Sequence, residues 1–376
     1  GDEKRMAGGG IFITGHDNII QDNVIAGAYA RAVDVNSGYQ NNLIQRNFIG
    51  TRADGTVPGV AEAAQCLRSF DFDTQNWYGG WGIALAGSNN KVLNNRIAGL
   101  HILQGANDTP PMAIEIFGTN QLIQNNVIGI DSAGSQVGVC GQGIKVAGNG
   151  TQILDNVIVG SRIGFEDVVP TAILANDSSP TFGRISVRRN LVGSSPGGIF
   201  EFGPGVPALL RNYAPAKITT INGTNVAGRA GDNSPCANCL IDFYSDDTDG
   251  NAEALRYLGN TTADSTGNFS FAMTQTLPSG VGIRTSSTSQ SAGIIGSYGA
   301  GTTTRVSKLY LPMSSVVISG PLTGTVGITY TFTITVSPLG ATTPLSYTLN
   351  ASDYNPGTFV RDTHVLTFPL RWTTAG

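Results

Sequence analysis

Charge is scarce in this chain: Asp, Glu, Lys and Arg make up 13% of 376 residues, and the formal net charge is −4. No run of Lys or Arg forms a basic stripe. A nucleic-acid partner is therefore not expected, because holding phosphates needs a positive face that displaces counterions. Long apolar runs are missing as well, and no stretch approaches the ~18 residues of a membrane span. Histidine occurs only as His16, His101 and His364, too scattered for a histidine-based triad or a zinc centre. No glycine-rich loop leads into Lys-Ser or Lys-Thr, which removes the phosphate-cradling motif. Helix formers such as Met, Glu and Lys are thin, so helices are not expected. From these absences neither a cofactor nor a metal is expected.

Cysteine is limited to Cys66, Cys140, Cys236 and Cys239. The last two stand as Cys-Ala-Asn-Cys, a spacing that fits a redox pair, half a zinc site or a small disulfide. No second Cys-x-x-Cys or His pair completes a zinc set. The segment lies among strands and turns rather than at a helix N-terminus, which weakens the redox reading. A structural disulfide in an oxidising compartment is preferred, and pairing of Cys66 with Cys140 stays open. The chain starts at Gly1 without a signal segment, as a mature or trimmed product does.

What the chain has in quantity is glycine, 50 residues, alongside Asn, Thr, Ser and Val. That mixture belongs to many short strands and many turns, and 40% hydrophobic content is ample for a core. Aligning the asparagines exposes a repeat. Asn23, Asn47, Asn95, Asn126, Asn156 and Asn190 share a frame with an apolar residue three positions before (Ile20, Ile44, Val92, Ile123, Ile153, Val187) and two after (Ile25, Ile49, Ile97, Ile128, Ile158, Val192). A glycine follows shortly each time. Repeats of this length mean a solenoid.

An alternating triplet precedes each Asn: Ile11-Phe12-Ile13, Val33-Asp34-Val35, Ile83-Ala84-Leu85, Ile114-Glu115-Ile116 and Ile144-Lys145-Val146, with Ile173-Leu174-Ala175 a looser copy. Its outer members should point inward and its middle member outward. Strands of successive coils then stack ~4.8 Å apart, and right-handed crossovers set the hand. The expected fold is all-β: a right-handed parallel β-helix over 1–202, then β-sandwich domains over 203–312 and 313–376. The second sandwich has only about 64 residues, short for a complete domain, and is expected to be truncated. The recurrent Asn reads as an inward ladder at a turn, satisfying buried backbone groups.

The stretch Asn47 to Thr56, Asn-x-Ile-Gly-Thr-x-x-x-Gly-Thr, resembles bacterial secreted β-helix proteins of the large cell-surface kind. The segments Pro235–Cys239, Asp242–Asp246, Tyr257–Gly259 and Thr262–Phe269 resemble the Ig-like module that often follows such helices, and the C-terminal stretch is similar to bacterial Ig-like repeats. The resemblance implies a secreted or surface-attached protein and no particular reaction.

In β-helix enzymes generally, substrate lies across the outside of one parallel sheet, so the outward positions hold the candidate chemistry. A column of small residues (Gly10, Ala32, Gly82, Ala113, Gly143) reads as a floor for a flat sugar chain, or as mere strand starts under covering loops. Beside it run Phe12, Asp34, Ala84, Glu115 and Lys145, then Thr14, Asn36, Ala86, Phe117 and Ala147. Asp34 and Glu115 are two rungs apart, roughly 9–10 Å at the backbone. Inverting glycosidases hold their carboxyls ~6.5–9.5 Å apart. In that reading Glu115, ionised by neighbouring Lys145, is the base and Asp34 the acid. The alternative is a solvated surface with one Glu–Lys pair. The insertion at 51–80 brings Asp71, Asp73, Trp77 and Tyr78, with Trp81 following at a strand start, and its aromatics suit stacking on sugar rings. Trp81 has inward parity and is equally a plug for the coil. Ser245 to Glu253 is acidic but lacks the spacing of a known calcium loop, which favours a solvated turn. The function expected is that of a polysaccharide-acting protein, a glycoside hydrolase first and a non-catalytic adhesin or stalk second.

Overall fold

Each repeat supplies three short strands, and equivalent strands stack in parallel. The computed structural model describes residues 9–28, 30–57, 80–101, 111–162, 170–178, 182–231, 236–290, 300–351 and 354–371, with side chains of 349–351, 354–357 and 359 left aside. The triplets form a seven-stranded sheet, here sheet 1, running from Ile11–Ile13 to Phe200–Phe202. Sheet 2 has six strands, from Ile19–Gln21 to Ser186–Arg188, and sheet 3 has six, from Val24–Ile25 to Leu191–Gly193. The residue three before each ladder Asn is the buried centre of a sheet 2 strand, and the residue two after is the buried member of a sheet 3 strand. The result is all-β and solenoid-like, with a single core of Ile, Val and Leu running up its axis.

The turn between sheets 2 and 3 explains the asparagines. The residue before each is left-handed: Asp22, Arg46, Asn94, Asn125, Asp155 and Arg189 all have φ between 51° and 58°. That conformation aims the next side chain inward. Asn23, Asn47, Asn95, Asn126, Asn156 and Asn190 then form the expected ladder, each Nδ2 donating to the next Oδ1 at 2.9–3.1 Å. Arginine is strained in this region. Arg46 and Arg189 are held there by ion pairs to Asp22 and Asp155 of the coil before, at 2.8 and 2.6 Å.

A second ladder stands five residues earlier in each coil. Asn18 donates to Asn42 at 2.9 Å and Asn42 to Asn90 at 3.0 Å, and the Asn90 N–H donates to Gln121 Oε1 at 2.9 Å. Its signal was present as Asn-x-x-x-x-Asn, repeated at 18/23, 42/47 and 90/95.

The chain divides into two compact units, Gly1–Thr274 with Arg284–Lys308, and Gln275–Ile283 with Leu309–Gly376. In the first unit, two three-stranded antiparallel sheets follow the solenoid (Lys217–Asn222, Asn225–Arg229, Asn268–Ala272; and Arg256–Thr262, Leu240–Asp246 and Gly282–Thr288, the last from Arg284 onward). Phe243 joins them, stacked on Phe271 at 4.3 Å and edge-on to Phe269 at 5.6 Å. These sheets close the last coil, whose strand edges would otherwise present unpaired backbone groups. Val192 and Ala254 exchange two backbone hydrogen bonds at 2.9 and 3.0 Å, and the Thr303 N–H donates to Ile185 O at 2.9 Å. Arg188 clamps Asp242 with two bonds at 2.7 and 2.8 Å, and Glu253 accepts from the Ser194 N–H. Cys236 and Cys239 form the expected disulfide, and Cys140 is also disulfide-bonded. Cys66 lies outside the described residues.

In the second unit, Ser315–Ser319, Thr329–Ser337 and Val365–Arg371 make one antiparallel sheet, and Leu345–Ala351 pairs with Tyr354–Arg361. Its small core gathers Ile334, Val336, Tyr347 and Phe368. Among the described residues, no helix is long and apolar enough to cross a membrane.

Candidate functional site

Sheet 1 carries the candidate residues, and its register is the expected one. Phe12 pairs with Asp34, Asp34 with Ala84, Ala84 with Glu115, Glu115 with Lys145, then Leu174 and Glu201. Ile11, Val33, Ile83, Ile114 and Ile144 belong to the core or pack against it, so the middle column points out. The face is not uniformly open. Phe12 is 62% exposed, whereas the Asp34 side chain is 22% and the Glu115 side chain 4% exposed.

Two expectations are corrected by a bend at the start of each triplet. A Cβ built on Gly10 or Gly143 would meet the Ile25 or Ile158 side chain of the interior, and Ala32 and Ala113 lie in the core. The small column is therefore small because the coil narrows there; it is not a floor for sugar. Alternation breaks at the same bend, so Trp81 does not plug the coil. It pairs in register with Arg31, is half-buried, and lies with the Arg31 guanidinium 5.8 Å over its ring.

Arg31 was not singled out from the sequence, and it organises the site. It lies at the place in its coil that Trp81 holds in the next, which was the available signal. Its Nη1 is 3.1 Å from Asp34 Oδ2 and its Nη2 is 3.7 Å from Glu115 Oε2. Its guanidinium carbon stands 5.7 Å over the Phe117 ring. Lys145 Nζ reaches Glu115 Oε1 at 3.3 Å. Asp34, Glu115, Trp81 and Phe117, with Lys145 beside Glu115, gather around this arginine. Asp71, Asp73, Trp77 and Tyr78 lie outside the described residues.

The electrostatics differ from the expectation. Burial pushes the Glu115 carboxyl above its ordinary range, outweighing the opposing pull of Lys145 and then Arg31. Glu115 is therefore the group inclined to keep a proton, which suits an acid better than a base. Two carboxylates face two cations, so the cluster balances its own charge. One guanidinium bridges both carboxylates and occupies the space between them.

Beside this cluster a cavity of about 550 Å³ is lined by Gly9, Gly10, Ile11, Phe12, Ala30, Arg31, Asp34 and Trp81. It offers an aromatic ring on either side and an ion pair at its base. Among the described residues one group of three acids, Asp246, Asp247 and Glu253, brings possible metal-ligand atoms within 4.8 Å. Asp246 is already paired with Arg284 and Glu253 is bonded to the Ser194 N–H. This acidic turn serves the contact with the last coil.

Comparison with protein-family models, with curated proteins and with solved structures found no match.

Proposed function

We propose that this chain is an extracellular glycan-binding protein. In this reading the fold is a right-handed parallel β-helix with Ig-like sandwich modules, and the polysaccharide lies on the outer face of sheet 1. The observation that carries the reading is the 550 Å³ groove, walled by Phe12 and Trp81 and floored by the Arg31–Asp34 pair. Aromatic faces stack on the apolar faces of sugar rings, and fixed ion pairs bond their hydroxyls. The paired cysteines support an oxidising compartment. The bacterial, secreted origin rests on the repeat resemblance at Asn47 to Thr56.

A second reading, glycoside hydrolysis, is favoured by one observation: burial raises the Glu115 carboxyl beside an ion-paired Asp34. Glu115 would protonate the leaving oxygen and Asp34 would activate water. Arg31 would have to leave the space between them first. Binding ranks ahead for that reason.

The test combines affinity electrophoresis with a reducing-sugar assay over plant, algal and bacterial polysaccharides. Retarded migration that Trp81→Ala abolishes, with no sugar released, is the expected result. Release of sugar that Glu115→Gln and Asp34→Ala abolish would replace binding by hydrolysis. Neither retardation nor release across the panel would refute both readings.

A further inference from the structure

In the second unit, the sheet of Ser315–Ser319, Thr329–Ser337 and Val365–Arg371 has two outer edges, and they are built differently. Along one edge, Val365–Arg371 carries Pro369, which has no N–H to offer, and ends on the charge of Arg371. Proline and charge are the usual guards of an exposed strand. The other edge has neither. Ser315-Val316-Val317-Ile318-Ser319 holds no charge and no proline, pairs with Thr329–Ser337 in unbroken register, and is exposed at all five residues. No strand among the described residues pairs with its outer side.

The inner face of this strand is equally incomplete. Residues directly opposite on antiparallel strands project to the same side of the sheet. Val316 lies opposite Val336, and Ile318 opposite Ile334. Those partners are 1% and 4% exposed in the small core, whereas Val316 is 48% and Ile318 61% exposed. The core therefore stops one strand short, with two apolar side chains on its own side left in solvent. Val317, opposite Thr335 on the other face, is 57% exposed.

The sequence of the strand says what can cover it. Read backwards, Ser-Val-Val-Ile-Ser becomes Ser-Ile-Val-Val-Ser, the same order of hydroxyl, three β-branched apolar residues and hydroxyl. Set antiparallel to a copy of itself about Val317, it pairs Ser315 with Ser319, Val316 with Ile318, and Val317 with its own counterpart. A two-fold interface needs a surface complementary to itself in this way, and β-branched cross-strand pairs pack well. We infer that two copies of this chain associate edge to edge through Ser315–Ser319, joining two three-stranded sheets into one of six strands. Val316 of each copy then packs beside Ile318 of the other, and the open backbone groups of both edges find partners. With no charge on either strand, nothing opposes the approach. Five residues a side make an interface smaller than a stable complex needs, so the dimer is weak and forms with rising concentration.

The experiment is sedimentation velocity on the full chain from about 5 to 500 μM, the span of a weak pair. The variants are Val317→Lys, Val317→Glu and, on the guarded edge, Val365→Lys. Wild type should pass from monomer to dimer over this span, and Val365→Lys should follow it. Val317 meets itself on the two-fold axis, so lysine or glutamate there sets like charges face to face. Each of those variants alone should associate at least about tenfold more weakly. Mixed in equal amounts they should recover association, because lysine then faces glutamate. A wild type that stays monomeric throughout would overturn the inference. Dimerisation that neither Val317 variant weakens, or that Val365→Lys weakens equally, would place the interface elsewhere and overturn it too. Failure of the mixture to associate would refute the self-paired register, whatever either variant does alone.

Discussion

Replacing Asn126 by alanine should weaken the solenoid far more than the same change at Asn23, although both occupy one frame of the repeat. Asn126 is wholly buried. Its Oδ1 accepts from the backbone N–H of Asn95 at 2.9 Å and from the Asn95 amide at 3.0 Å, while its Nδ2 donates to Val92 O and Asn156 Oδ1, both at 2.9 Å. Truncation leaves the Asn95 N–H buried without an acceptor, at about 1–3 kcal/mol. It also removes two or more further bonds worth roughly 1 kcal/mol each, so the total is on the order of 3–5 kcal/mol. Asn23 is exposed, and its side chain accepts no bond among the described residues, although it reaches Asn47 at 3.1 Å. Its truncation should cost about 1 kcal/mol or less. A stack of repeats is held by nearest-neighbour contacts, so the central lesion also separates the coils on either side. Guanidinium unfolding followed by circular dichroism gives the comparison, and hydrogen exchange at the Asn95 amide reports the orphaned group directly. Equal losses at the two positions, with the Asn95 amide still protected in the Asn126 variant, would refute the ladder as the source of axial stability.

Three further outcomes follow from the charged and buried groups. The folded-state pKa of Glu115 is raised by burial, so it contributes stability that is present below its ordinary value of 4.5 and lost as pH climbs through the raised value. Glu115→Gln should therefore gain on wild type over that climb, and a flat difference in urea midpoint across it would contradict the assignment. His101 runs the other way: burial, then Arg162, lower it to about 3 from 6.5, so stability is lost as pH falls across that window. His101→Phe should blunt acid unfolding there, as read by intrinsic fluorescence. Arg188→Met should cost roughly 3–5 kcal/mol, because Asp242 is left buried without its counter-charge. A thermal melt showing under about 1 kcal/mol of loss would mean that Tyr257, 2.9 Å from the same carboxylate, suffices alone.

Much of the architecture was legible because it repeats. An apolar residue on either side of Asn at constant offsets located sheets 2 and 3, and the triplets set the register of sheet 1 pair by pair. The parity of Trp81 was misread because strict alternation assumes a regular strand, whereas here two consecutive residues of a coil, Ala32 with Val33 and Ala113 with Ile114, both enter the core. The same break in alternation turned the small column inward. Arg31 escaped notice because it stands ahead of the triplet, where no apolar pattern draws the eye. The raised Glu115 carboxyl was not legible at all: its burial depends on coils distant in sequence, whereas its Lys145 neighbour could be counted from the repeat. The grouping of Phe243, Phe269 and Phe271 likewise arises from packing between sheets, which no local pattern records.

The backbone bonds between Ala254 and Val192, and between Thr303 and Ile185, have a consequence for counting. A stack of coils is a template that would accept one more coil indefinitely; here the last coil is already bonded, at Val192 and Ile185, to later segments of the chain. The solenoid consequently has a terminus at sheets 2 and 3, and each rung keeps a fixed address from that end. A polymer lying along it would meet a graduated scale rather than an endless track, and the number of its units held at once would be set by the protein.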